Sequence, residues 1–283
     1  MKIKNWIILT LLFLIVFDGF IWLEIIFHPK NKNTEVYFLS VGQGDSELVI
    51  LPGGVKVLID GGPSNKVIDE LSSILRPTDR YIDLVMLSHA QTDHFTGLID
   101  VLRRFQVGVF IYNGRSGTAS SWPELAEIIK QNKVPVEILM AGDKISYLDS
   151  RFDFLFPDKN FIASAELNDT ALVQLLQSQG AKILFTGDVG VKIENYLLQR
   201  FNLDIDVLKV AHHGSKFSSS EEFLESTSPK LAIIEVGKNS YGHPTQDALS
   251  RLASIGAQIF RTDKDGMIKL VLNSQKISVF KQE

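Results

Sequence analysis

The 283-residue chain has no cysteine, so disulfides and thiolate metal ligands are both excluded. It also lacks an excess of positive charge, with a formal net charge of −4. Within residues 1–32, Lys2, Lys4, Lys30 and Lys32 stand against Asp18 and Glu24, a sum of +2, so the remainder carries −4 − 2 = −6. A domain that acidic has no global electrostatic footprint for nucleic acid, and any polyanion must be met by local cations or a metal. Low-complexity tracts are absent, and 45% hydrophobic with 22% charged residues is the composition of an ordinary globular protein. Histidine is scarce too: His28, His89, His94, His212, His213 and His243 are the whole set.

One long apolar run is present. From Trp6 to Phe27 the only charges are Asp18 and Glu24, and about 20 apolar residues span a bilayer. No small-x-small cleavage site precedes His28, which favours a retained transmembrane helix over a cleaved leader. Lysines flank the run on both sides, so charge does not set its orientation. We expect a single-pass anchor over 1–32, ending in a polar tether from His28 to Thr34, and a domain over 33–283 on the extracytoplasmic side.

The rest reads as strand clusters alternating with helices, twice over. Glu35–Val41, Ser46–Leu51 and Val55–Asp60 form a meander joined by Gly-rich turns. A helix at Lys66–Leu75 leads to the apolar strand Leu84–Leu87, followed by a helix at Gly97–Phe105, a strand at Val107–Tyr112 and a helix at Trp122–Gln131. The second half has strands at Asp153–Phe156, Ala171–Leu176, Lys182–Thr186, Ile205–Val210 and Leu231–Val236, with helices at Val191–Phe201, Glu221–Glu225 and Gln246–Ile255. Gln258–Arg261, Met267–Leu272 and Lys276–Phe280 close as short strands. This rhythm predicts an α/β layered fold of two sheets with helices outside.

Five of the six histidines fall in Gly-flanked segments just after strand-like runs: His89 and His94, His212 and His213, and His243. Asp60, Asp93 and Asp188 occupy the same kind of position. Ligands on separate strand-end loops converge on one point, and imidazole with carboxylate suits zinc, manganese or iron. Each feature also has an ordinary reading. Asp93 and Asp188 serve equally as helix caps, Asp60 as turn chemistry, and Lys209, Lys216 and Lys238 as solvated lysines.

Six segments in order carry a resemblance: Val41-Gly-Gln-Gly-Asp45, Leu58-Ile-Asp-Gly-Gly62, Ser88-His-Ala-Gln-Thr-Asp-His94, Leu184-Phe-Thr-Gly-Asp188, Leu208-Lys-Val-Ala-His-His-Gly-Ser215 and Tyr241-Gly-His-Pro244. Together they resemble the metallo-β-lactamase superfamily, and within it the hydrolase-like domain of ComEC-type DNA-internalisation competence proteins. The resemblance implies a four-layer αββα fold and one or two divalent ions, zinc or manganese. It implies His89 on a first metal, Asp93, His94 and His243 on a second, and Asp188 bridging them. Asp93 would also orient the nucleophilic water, His212 and His213 would each be either a ligand or a group that binds or protonates substrate, with His213 favoured for the substrate role, and Asp60 would align a ligand histidine from behind. Gln91 stands where the superfamily has a second histidine, so the first site is weak.

The expected activity is metal-assisted phosphodiester hydrolysis, DNA being the expected substrate, with Lys209, Lys216 and Lys238 near the phosphate. A separate DNA channel protein is a possible partner. The alternatives are hydrolysis of another small ester or phosphoester, and a non-catalytic DNA-binding module with a degenerate metal site.

Overall fold

A computed structural model describes residues 2–27, 32–274 and 276–282. The chain divides into two compact units, Met1–Lys32 and Asn33–Glu283. Within the first, α1 (Lys2–Phe27) is one continuous helix. Its segment Asn5–Leu23 is 19 residues of apolar sequence, long and apolar enough to cross a membrane. Residues 28–31 of the expected tether lie outside the described residues.

The second unit begins with β1 (Thr34–Phe38), β2 (Glu47–Ile50) and β3 (Lys56–Ile59), then α2 (Lys66–Ile74), β4 (Tyr81–Met86), α3 (Thr92–Arg104), β5 (Gln106–Tyr112), α4 (Trp122–Gln131) and β6 (Val136–Ile138). There follow β7 (Lys144–Tyr147), β8 (Ser150–Phe156), β9 (Val173–Ser178), β10 (Ala181–Phe185), α5 (Val191–Leu198), β11 (Val207–Lys209), α6 (Glu221–Thr227) and β12 (Leu231–Ile234). The chain closes with α7 (Gln246–Ser254), β13 (Gln258–Arg261), α8 (Thr262–Asp265), β14 (Ile268–Asn273) and β15 (Lys276–Lys281).

The strands form two sheets, ordered β15-β14-β1-β2-β3-β4-β5-β6 and β13-β12-β11-β10-β9-β8-β7. Their facing sides make one apolar layer, in which Phe38, Val49 and Ile59 of the first sheet meet Phe154, Ile183 and Phe185 of the second. Alternation in β14 follows from this: Ile268, Leu270 and Leu272 point inward while Lys269, Val271 and Asn273 are half-exposed. The outer face of the first sheet is covered by Val67, Leu71, Phe95, Leu98 and Leu102 of α2 and α3, and that of the second by Ile193, Leu197, Phe223, Leu224 and Leu252 of α5–α7. The order of layers is αββα.

Strands β3, β4 and β5 run parallel in one sheet, and β10, β11, β12 and β13 in the other. Parallel strands need crossovers, and the loops that leave their carboxyl ends are where α/β sheets place ligands.

Candidate metal centre

The loops after β3, β4, β10, β11 and β12 meet at one place between the two sheets. Asp60 ends β3, with its backbone amide bound to Met86 O of β4. Its carboxylate accepts hydrogen bonds from Ser88 N at 2.7 Å, Ser88 Oγ at 2.6 Å and His94 Nδ1 at 2.7 Å. Because a carboxylate only accepts, His94 donates its Nδ1 proton to Asp60, which turns Nε2 into the cluster as the atom that would give its lone pair to an ion.

The structure starts α3 at Thr92, five residues before the expected Gly97, so Asp93 and His94 sit in its first turn. Two close approaches fix that turn. A Cβ on Gly97 would collide with Gly61 O, and one on Gly44 with Asp93 O. Both contacts let backbone meet backbone, through Gly97 N to Gly62 O at 3.0 Å and Asp45 N to Asp93 O at 3.3 Å.

His212 and His213 both adopt left-handed backbone, with φ of 51° and 54°. Such strain costs about 1–3 kcal/mol per residue and persists where the surroundings over-determine it. Here it turns His213 inward, so that Nδ1–H donates to Glu235 O at 2.8 Å and Nε2 is free. One ligand atom from each of Asp93, His94, Asp188 and His213 lies within 4.8 Å of the others. Asp188 Oδ2 is 3.4 Å from His94 Nε2 and 3.6 Å from His213 Nε2, and Asp93 Oδ2 is 3.6 Å from His213 Nε2.

Among the described residues, His94 Nε2, His213 Nε2 and both oxygens of Asp188 are buried without a hydrogen-bond partner. Buried polar atoms are normally paired, so four orphans aimed at one point fit a cation. The donor set, two imidazoles and two carboxylates without sulfur, suits zinc, manganese or iron. Electrostatics agree. Burial alone would raise Asp188, but the neighbouring His213 and His94 cations hold it well below the usual carboxylate range. Burial alone would lower His213, yet Asp188 and Asp45 outweigh it and hold it up at about 10.

The other expected residues are placed differently. His89 lies outside the quartet: its ring nitrogens are 3.0 Å from Ser88 Oγ and 3.2 Å from Gln91 Oε1. Burial, and then the His94 cation, push it down to about 4. His243 is also outside the quartet, its ring 5.5 Å from that of His212, and it lines the adjoining cavity together with His212. His213, one of the two histidines expected either to bind metal or to act on substrate, lies in the quartet, and His243 does not.

Lys209 needs a correction. Rather than facing a phosphate it is fully buried, with Nζ paired to Asp45 and 3.3 Å from Gly187 O. The reason is its place in β11, a central parallel strand covered on both faces. Lys216 does not line the cavity; its Nζ lies 5.0 Å over the Phe217 ring. Lys238 does line it.

Three carboxylates behind the centre were not foreseen. Asp45 Oδ1 is 3.3 Å from His213 Nδ1, and its pKa is driven down, against burial, by Lys209 and His213. Glu47 and Glu235 are buried together, one carboxylate oxygen of each lying within 4.8 Å of the other and of Asp45; burial and Asp45 push Glu47 up to about 8, and burial and Glu47 raise Glu235. The legible signal was a charge inside an apolar strand, Lys209 in Val207–Val210 and Glu235 after Leu231–Ile234, because a buried charge needs a partner.

Two sheets back to back, with strand-end loops converging on an imidazole–carboxylate cluster, define a metal-binding αββα protein. The chain matches the Metallo-beta-lactamase superfamily over residues 39–237, more than half its length, and belongs to it. It is 29% identical over 267 residues to ComE operon protein 3 of Bacillus subtilis, covering 88% of this chain and 34% of that protein. It is likewise 29% identical over 261 residues to competence protein ComA of Neisseria gonorrhoeae, covering 89% and 35%. The chain thus spans about a third of the length of these curated relatives. Among solved structures, the metallo-beta-lactamase fold protein YhfI from Bacillus subtilis superposes with a TM-score of 0.57 at 11% identity, over 84% of this chain and 100% of that one. A long form RNase Z from yeast gives 0.55 at 12%, over 87% and 42%. At such identities the likeness is one of fold.

Proposed function

We propose that the chain is a membrane-tethered, divalent-metal-dependent phosphodiesterase whose substrate is nucleic acid. The observation that carries this reading is the quartet Asp93, His94, Asp188 and His213, with each imidazole proton drawn away by an acceptor behind it. In this reading the four residues hold zinc or manganese, and His89 with Gln91 is a weak second position. A divalent ion supplies charge neutralisation on a phosphoryl oxygen and brings a water pKa toward neutrality.

The chain's own residues do the rest. Asp93, 31% exposed at the cavity floor, orients the attacking water and accepts its proton. Asp60 and Glu235 fix the two rings so that neither swings during the reaction. His212 is 34% exposed, lines the cavity and is the group placed to protonate a leaving oxygen. Lys238, on the cavity wall, meets the phosphate charge that the acidic domain would otherwise repel.

The competence-named relatives support a place in DNA uptake and α1 supports a single-pass anchor. In this reading the domain lies outside the cytoplasm and a separate channel protein is the partner. Full-length protein in detergent, supplied with Mn²⁺ or Zn²⁺, should cleave single-stranded DNA and bis-p-nitrophenyl phosphate. Both substrates left intact would overturn the proposal. Protease digestion of intact cells should remove the domain; its survival would contradict the assigned side.

A further inference from the structure

The cavity beside the quartet, about 740 Å³, has an uneven wall. Its neutral polar side chains include the amides Gln43, Gln91 and Asn168, and its one lysine is Lys238. At its rim stands Tyr241, 74% exposed, its ring 5.8 Å from that of His243 and tilted 31° to it. This exposure is not that of a loose loop. The Asn239 side chain donates to Gly237 O at 2.9 Å and to His243 O at 2.8 Å. It accepts from Tyr241 N at 3.1 Å and His243 N at 3.0 Å. One amide therefore pins the loop on four bonds and presents His243 and Tyr241 from the same turn.

A large ring held out in water gains nothing for folding, but it offers a flat face to a ligand. Aromatic faces stack on unpaired bases, amides read base edges, and a lysine meets the phosphate between. We propose that Tyr241 is a stacking platform for a base adjoining the scissile phosphate, with Lys238 on the neighbouring phosphate, and that the site takes single-stranded nucleic acid. A duplex keeps its bases stacked on each other and cannot offer one to the ring. This rests on the phosphodiesterase reading above and adds the form of the substrate.

The test is fluorescence anisotropy of full-length protein in detergent, with EDTA present to prevent cleavage, using a labelled 12-mer single strand. A 12-mer with abasic positions and a duplex are the comparison probes. Tyr241→Ala should weaken single-strand binding roughly 5- to 150-fold, the range expected for one stacked base. Tyr241→Phe should restore it, since the ring remains. The abasic strand and the duplex should bind wild type weakly and respond little to Tyr241→Ala. Lys238→Ala should lower the salt dependence by about 0.7 in log–log slope. If wild type binds and cleaves the single strand but Tyr241→Ala binds it equally well, the platform is wrong and the phosphodiesterase reading stands. If wild type neither retains nor cleaves it, both fall.

Discussion

His94 and His213 differ from His89 in what stands behind each ring. Behind His94 is the Asp60 carboxylate, and behind His213 the Glu235 carbonyl with Asp45 close by. Behind His89 is only the Ser88 hydroxyl, which also hydrogen-bonds to Asp60 at 2.6 Å. An imidazole backed by an anion or a carbonyl is a stronger ligand with a fixed tautomer. His94 and His213 thus have the backing a metal ligand needs, and His89 lacks it.

The largest effect should come from removing the carboxylate shared by the strong side. Asp188→Ala takes away the carboxylate within 3.6 Å of both Nε2 atoms, and both bound metal and turnover should be lost, as read by elemental analysis and phosphodiester hydrolysis. Next is the support behind that side. Lys209→Met leaves Asp45 buried without its cation, and chemical denaturation should show a loss of about 3–5 kcal/mol. Asp60→Asn removes the anion behind His94 and should weaken metal affinity about 10- to 100-fold in a chelator competition. On the weak side, His89→Ala should change that affinity less than tenfold; an equal loss would erase the distinction between the two rings.

Proton release sharpens the contrast further. With His94 held well above its ordinary value and His213 at about 10, filling the quartet displaces a proton from each ring, so affinity should rise about a hundredfold per pH unit while both rings are charged and level off once both are neutral. His89, at about 4, is already neutral and contributes no such slope above pH 5 or so. The same shift sets a stability window. In the ion-free protein, charged His213 stabilises the fold fully below its ordinary 6.5, and that contribution is lost as pH rises through about 10. Thermal unfolding with EDTA across that range checks it.

Much of this could be read from the chain alone, and the misses have physical causes. The layered order of strands and helices follows from apolar runs and Gly-rich breaks, and Trp122–Gln131 and Gln258–Arg261 begin and end where the sequence places them. Two strands were not anticipated. Val136–Ile138 is a three-residue edge strand exposed throughout, and Lys144–Tyr147 is mostly exposed, so neither has an apolar run to announce it. The helix carrying Asp93 and His94 begins before its apolar stripe does.

At the site, the residues converging from strand ends were legible because histidine is scarce and its spacing unusual. Which ring does what was not. That His213 rather than His243 reaches the cluster depends on a left-handed turn that no local pattern encodes. Asp45 sits in a turn whose glycines account for it without any electrostatic role, so its partnership with Lys209, 164 residues away, is visible only in three dimensions.

The central claim is that Asp93, His94, Asp188 and His213 hold a divalent ion. Elemental analysis of full-length protein purified without chelator, wild type beside Asp188→Ala, tests it most directly. At least one zinc or manganese per chain is expected in the wild type and none in the variant. Equal metal content in the two, or none in the wild type after incubation with both ions, would contradict it.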